Sequence, residues 1–184
     1  MRRSRLLAAV AVVGVAGFTA AATVAGDRSG NFKTDMTGYE EVPALSTPGN
    51  GQVDVKVAKD GESLQFVLHY RATETPVTQS HIHFGQDAIN NGGIVIFFCS
   101  NLGNGPAGTP ACPQPPAGEM ATVEGTRTAA DMFGGATAQG IAPGEFDELV
   151  RALRAGATYA NVHTTGRPGG EIRGQLDHEQ GHED

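Results

Sequence analysis

The sequence predicts an all-β, antiparallel fold with one or two short helices before its last hairpin. Three observations carry this. Tyr159 to Leu176 alternates apolar and polar residues on both sides of a Gly166–Gly170 turn, which is the half-buried hairpin pattern. Val53, Val55 and Val57 alternate with Asp54 and Lys56, and after the Lys59-Asp60-Gly61 turn Leu64, Phe66, Leu68 and Tyr70 alternate with Gln65, Val67 and His69. Helical spacing shows at Phe146, Leu149, Val150 and Leu153, at i, i+3, i+4 and i+7.

Residues 1–25 read as a secretory signal peptide. Arg2, Arg3 and Arg5 precede an apolar run rich in Ala and Val that ends in small residues. The run is about the length of a bilayer span, but its Ala and Gly content and small-residue end favour cleavage, leaving no membrane span. The whole chain of 184 residues carries −7, and loss of the three leader arginines leaves −10. So acidic a protein repels phosphate backbones, which excludes nucleic acid as a partner. The length after cleavage suits one domain.

Residues 26–31 read as a linker and Phe32 to Met36 as a first strand. Ser80 to Gly85 is the next clear strand after Tyr70, with His81 and His83 on one face and Ile82 on the other. Ile94 to Cys99 is a continuous apolar run, as in a strand covered on both faces. Ser100 to Gly118 is a long Gly/Pro/Asn loop bounded by Cys99 and Cys112. Two cysteines in an exported chain most simply pair, and the bridge clips a loop with little else to hold it. Met120 to Glu124 alternates as a short strand. Thr128 and Asp131 suggest a helix start that Gly134-Gly135 cuts short. Pro143 to Ala155 reads as a helix, with Gly156 where a C-terminal cap belongs. His69 reads as a solvated strand residue. Residues 177–184 are acidic with nothing apolar to bury, and are expected to form a disordered tail whose His178 and His182 bind metal weakly at most. No P-loop or dinucleotide fingerprint is present, and Ser80 lacks the glycines of a hydrolase elbow.

In the last hairpin Ala160, Val162, Ile172 and Leu176 point to a core. Tyr159, Asn161, His163, Glu171, Arg173 and Gln175 point the other way. If Ile82 joins that core, His81, His83 and His163 share the polar side. Gly38 to Pro43 (GYEEVP), the His81-Ile82-His83 strand, Tyr159 to Thr164 (YANVHT) and Pro168 to Leu176 (PGGEIRGQL) together resemble the CHRD domain, named after the secreted protein chordin. The resemblance runs from Phe32 to Leu176. It implies an extracellular β-sandwich and no transferable activity. The expected architecture is an antiparallel Greek-key β-sandwich or barrel, immunoglobulin-like or superoxide-dismutase-like.

Three readings of the polar face stand. In the first, Glu41, Asn161, Glu171 and Arg173 form a structural network with the histidines as donors: Glu171 or Glu41 pairs with Arg173, and Asn161 bonds the Gly166–Gly170 turn. In the second, His81, His83 and His163 hold copper or zinc, since imidazole suits both metals and His-x-His on a strand brings two rings to one ion. That pattern is similar to the copper site of copper-zinc superoxide dismutase. However, Phe84 to Pro116 contains no His and only Asp87, so a second, zinc site is not expected. In the third, the domain binds an extracellular protein or glycan. The expectation is a non-enzymatic secreted binding module. The leader and the two cysteines predict a mature chain beginning between about Thr23 and Asp27 with no free thiol. Intact-mass spectrometry with and without reduction checks both; a retained Met1 or two alkylatable cysteines contradicts them.

Overall fold

The computed structural model describes residues 29–86 and 89–178. The stretch expected as a signal peptide and residues 179–184 of the expected tail lie outside them. The strands are β1 (Gly30–Thr37), β2 (Asn50–Val57), β3 (Ser63–Arg71), β4 (Val77–Phe84), β5 (Gly93–Ser100), β6 (Ala121–Thr128), β7 (Thr158–Thr164), β8 (Ile172–Gln175) and β9 (Asp177–His178). Among the described residues one α-helix, α1 (Phe146–Arg154), precedes β7. The first strand begins inside the stretch expected as a linker. Asp177 and His178, expected as the start of a tail, instead pair with Lys33 and Phe32 of β1, where the His178 ring meets the Phe32 ring edge-on.

All pairings are antiparallel, in the order β5-β4-β7-β8-β1-β2-β3-β6, and β9 pairs with β1. The β3–β4 and β6–β7 connections cross over while their neighbours join locally, which is the expected Greek-key permutation. The sheet curls into a nearly closed barrel whose ends, β5 and β6, face each other. Little ladder joins those ends: Ile96 bridges Met132, and Phe133 N–H donates to Val95 O at 2.8 Å. Arg127 supplies the rest. Its Nε and Nη2 donate to the carbonyls of Phe97 and Phe98 at 2.9 and 3.1 Å, and its guanidinium lies over the Phe66 ring. A side chain thus satisfies carbonyls that an edge strand leaves open.

Val53, Val55, Val57, Leu64, Phe66, Leu68 and Tyr70 fill the barrel with Ile82, Phe98, Ala160, Val162, Ile172 and Leu176. Alternation is clean on β2, β3 and β6. It fails on β5 because the β4–β5 register shifts twice, between Ser80 and His81 and between Ile82 and His83. Each shift leaves an extra residue on β5, and both faces of β5 are covered, so the run is continuously apolar.

The Thr128–Asp131 pair does make a capping box, with Asp131 accepting from Thr128 N–H at 2.8 Å. It caps only a single 3-10 turn, Ala129–Asp131. A second 3-10 segment, Gly134–Gln139, follows. Helix α1 starts three residues later than Pro143, because Pro143-Gly144-Glu145 is a turn with Gly144 at φ 90°. It ends as expected: Gly156 N–H donates to Leu153 O and Ala157 N–H to Ala152 O, with Gly156 at φ 63°. Cys99 and Cys112 form the expected disulfide. The loop it closes has more support than the bridge alone. Asn101 donates to Val77 O and Cys112 O, Gln114 exchanges two bonds with Val77, and Tyr70 OH donates to Pro113 O at 2.6 Å.

The apolar stripe of α1 faces the core, with Leu149 and Leu153 both 0 % exposed. Leu149→Ala therefore removes a buried side chain, and urea denaturation should show a loss of about 2–4 kcal/mol. A parent-like midpoint contradicts this packing.

Candidate functional site

Period-2 geometry sends the residues between core positions to the outside of the barrel. On β4 these are His81 and His83. On β7 they are Tyr159, Asn161 and His163, and on β8 Arg173, which stands directly opposite Asn161. The hairpin and strand patterns had placed all of them on one face. The difference lies in how that face meets water. It is not wet: all seven residues of β7 are buried, and His81, His83 and His163 are 0, 7 and 6 % exposed. Loops roof it. Residues 85–86 and 89–92 and the turn after β7 lay backbone carbonyls over the side chains, and Phe133 covers Phe97 edge-on at 5.2 Å.

The expected network residues separate into distinct jobs. Glu171 does not pair with Arg173. Its carboxylate takes Thr47 Oγ1–H and Thr164 Oγ1–H, each at 2.7 Å, and the Glu74 backbone N–H at 2.8 Å, tying two loops and the end of β7 to the start of β8. Arg173 stacks on Tyr159, with its guanidinium carbon 3.4 Å from the ring centroid. Its Nη1 and Nη2 donate to Asn90 O and Gln86 O at 3.0 and 2.8 Å. The other face of Tyr159 is stacked by the His83 ring, 4.6 Å away and tilted by 4°. Asn161 bonds the histidines rather than the Gly166–Gly170 turn.

Glu41 sits against Gly170, where a Cβ would run into its carboxyl, and Gly170 takes φ 125°. One Glu41 oxygen has no partner. Burial pushes this carboxyl up to about 7, against the opposing pull of the Arg173 charge.

His83 Nδ1 lies 2.7 Å from Gly92 O, and His163 Nδ1 lies 2.9 Å from Pro168 O. A backbone carbonyl only accepts, so both Nδ1 atoms carry hydrogen. Burial then keeps the rings neutral. It pushes His83 down to about 4 and lowers His163 below the usual imidazole range, in each case against the carbonyl bond. Neutral rings protonated at Nδ1 offer a lone pair at Nε2. Both Nε2 atoms converge on the Asn161 amide, whose Oδ1 faces them at 3.1 and 2.9 Å. Three lone pairs then meet at one place. Either the amide is turned so that its NH₂ serves both rings, or a cation occupies the convergence.

His81 distinguishes the two arrangements. It lies between the other rings, with centroids 4.6 Å from each, and Phe97 meets it edge-on at 5.0 Å. Neither of its nitrogens has a hydrogen-bond partner by geometry, although Asn161 is near enough to favour its charged form. Burial, followed by the two neighbouring histidines, holds it neutral and well below its usual range. Turning the Asn161 amide satisfies His83 and His163. It leaves His81 buried and unpaired, at a cost of about 1–3 kcal/mol.

One ligand atom from each of the three rings lies within 4.8 Å of the others, and among the described residues no carboxylate or thiolate joins the group. Bonds near 2 Å to one ion require nitrogens roughly 3.4 Å apart, so a metal would draw the rings in by about 1 Å. The three residues can hold an ion; the described parts of the site contain no nucleophile–base pair that points to catalysis. The sequence did not single out the carbonyls of Gly92 and Pro168, the Tyr159 stack or Phe97. Only Tyr159 had a visible signal, its place on the polar side of the hairpin.

These groups make stability depend on pH in opposing directions. The histidines bind protons less readily in the folded protein, so their contribution is present above the ordinary imidazole range and lost as pH falls; for His83 the window runs from 6.5 to about 4. Glu41 holds its proton more tightly when folded, so its contribution is present below 4.5 and lost as pH rises through about 7. Three rings outweigh one carboxyl. In chelator-containing buffer, the urea midpoint should rise from pH 4.5 to 6.5, and more steeply in Glu41→Gln. A midpoint falling over that range contradicts the neutral, buried state of the rings.

The described residues include no helix long and apolar enough to cross a membrane. No curated protein and no solved structure matches the chain. A family model described as the CHRD domain matches residues 32–176, a span that contains the His81–His83 strand, the Asn161–His163 strand, the Glu41 loop and the Arg173 strand. With that match over most of its length, the chain belongs to the CHRD domain family.

Proposed function

We propose that the protein is a secreted, non-enzymatic binding module whose ligand is a transition-metal ion held by His81, His83 and His163. The observation that carries this is His81, fully buried and without a hydrogen-bond partner beside two converging Nε2 lone pairs. An ion uses all three rings at once, whereas a hydrogen-bond network uses only two. The Gly92 and Pro168 carbonyls supply the outer support a ligating imidazole usually has, fixing its tautomer and its ring plane. Export is supported by the arginine-led apolar leader and by the Cys99–Cys112 disulfide, which persists in an oxidising compartment.

The test uses the mature chain without an affinity tag. His178→Ala and His182→Ala are introduced to silence weak sites near the C-terminus. Truncation at Leu176 is unsuitable because Asp177 and His178 pair with β1. Titration with Cu²⁺, Zn²⁺ and, under anaerobic reducing conditions, Cu⁺ should show one ion per chain for at least one of the three, with that binding lost in His83→Ala and His163→Ala. His81→Leu separates the two arrangements most sharply. If the rings serve a metal, it abolishes binding and leaves the metal-free protein as stable as the parent or more so, because it deletes an unpaired buried polar group. Parent protein that takes up no ion, together with a destabilised His81→Leu, establishes a structural network instead.

A further inference from the structure

We infer that this site selects monovalent copper, Cu⁺, over the dications Zn²⁺ and Cu²⁺. The inference rests on the three-histidine reading above and concerns which ion that site takes.

The argument is one of charge. The three rings are 0, 7 and 6 % exposed, and among the described residues the ligand group contains no carboxylate or thiolate. Neutral ligands leave the whole charge of the ion uncompensated. The cost of bringing an ion out of water grows as the square of its charge, so a dication costs about four times a monocation in the same place. The surroundings do not make up the difference. The nearest fixed charge placed by the stacking is positive: Arg173 lies on the far face of the Tyr159 ring from His83. Glu171 is spent on Thr47, Thr164 and the Glu74 N–H. Glu41 is not among the atoms that gather at the rings, and burial raises its carboxyl to about 7 against the pull of Arg173.

Coordination number points the same way. Zn²⁺ takes four ligands, and Cu²⁺ prefers tetragonal surroundings. A filled d shell lets Cu⁺ rest with two or three nitrogens and no water. The walls next to the rings are aromatic, Phe97 edge-on to His81 and Tyr159 stacked on His83, and neither offers a donor toward the ion. Among the described residues Asn161 meets two of the rings, and its amide adds no charge.

The experiment measures the affinity of the mature chain for Cu⁺ under anaerobic, reducing conditions by competition with a bathocuproine chelator. Zn²⁺ and Cu²⁺ are measured by competition with chelating dyes at the same pH. Cu⁺ should be held at least about 100-fold more tightly than Zn²⁺ relative to each ion's affinity for free imidazole. Asn161→Asp places a carboxylate where the amide oxygen lies 2.9 and 3.1 Å from two Nε2 atoms, without change of shape. That variant should lower the Cu⁺ to Zn²⁺ preference by at least about tenfold, since the added charge now favours the dication. Asp87→Asn, next in sequence to Gln86, should leave the preference unchanged.

Zn²⁺ or Cu²⁺ bound as tightly as Cu⁺ on that scale overturns the inference and leaves the metal-binding reading standing. So does an unchanged preference in Asn161→Asp, or a preference that shifts in Asp87→Asn, because charge compensation then comes from elsewhere. No ion of either charge bound by the parent sinks the metal-binding reading itself.

Discussion

Sealing the outer face of β4, β7 and β8 away from water obliges every polar group there to find its partner inside the protein. An unpaired polar atom in such a place costs about 1–3 kcal/mol, and an unpaired charge costs more. Much of the molecule's irregular structure answers that obligation. The loop after β4 delivers the carbonyls of Gln86, Asn90 and Gly92. The turn after β7 delivers that of Pro168, and the loops around Thr47 and Glu74 deliver donors to Glu171. The loops do not merely decorate the barrel. They complete the hydrogen bonding of a face that a bare sheet would leave to solvent.

The same solution recurs. Arg173 at the roofed face and Arg127 at the barrel seam both direct their guanidinium donors to backbone carbonyls and lay the plane against an aromatic ring. A planar cation with five donors can satisfy several carbonyls at once, where an ammonium meets them only as a point charge. Arg127 thereby joins strands that barely pair, and Arg173 anchors the loop that orients His83. Against this background His81 stands out. Single oxygens of Glu41, Thr158 and Gln175 are also left without a partner, but His81 is left with neither nitrogen bonded, beside two imidazoles whose lone pairs meet.

The sequence by itself determined which residues face which way. Alternation on β2, β3 and the last hairpin, the i, i+3, i+4 stripe of α1 and the His-x-His spacing on β4 are local patterns, because side-chain direction within one strand or helix follows from backbone geometry alone. Those patterns placed Ile82, Val162 and Ile172 in the core and the three histidines with Asn161, Glu171 and Arg173 on the other side. The family was legible for a related reason, since its motifs are the strands that build this face. What only the tertiary structure decided is where each polar side chain ends its bonds. Glu171 and Arg173 look like an ion pair in sequence, yet Glu171 reaches Thr47 and Glu74, 124 and 97 residues away, while Arg173 reaches Gln86 and Asn90. Nor could periodicity tell that the outer face is roofed rather than wet, because the covering loops come from distant parts of the chain and contribute backbone carbonyls, which every residue possesses and no pattern of side chains reveals.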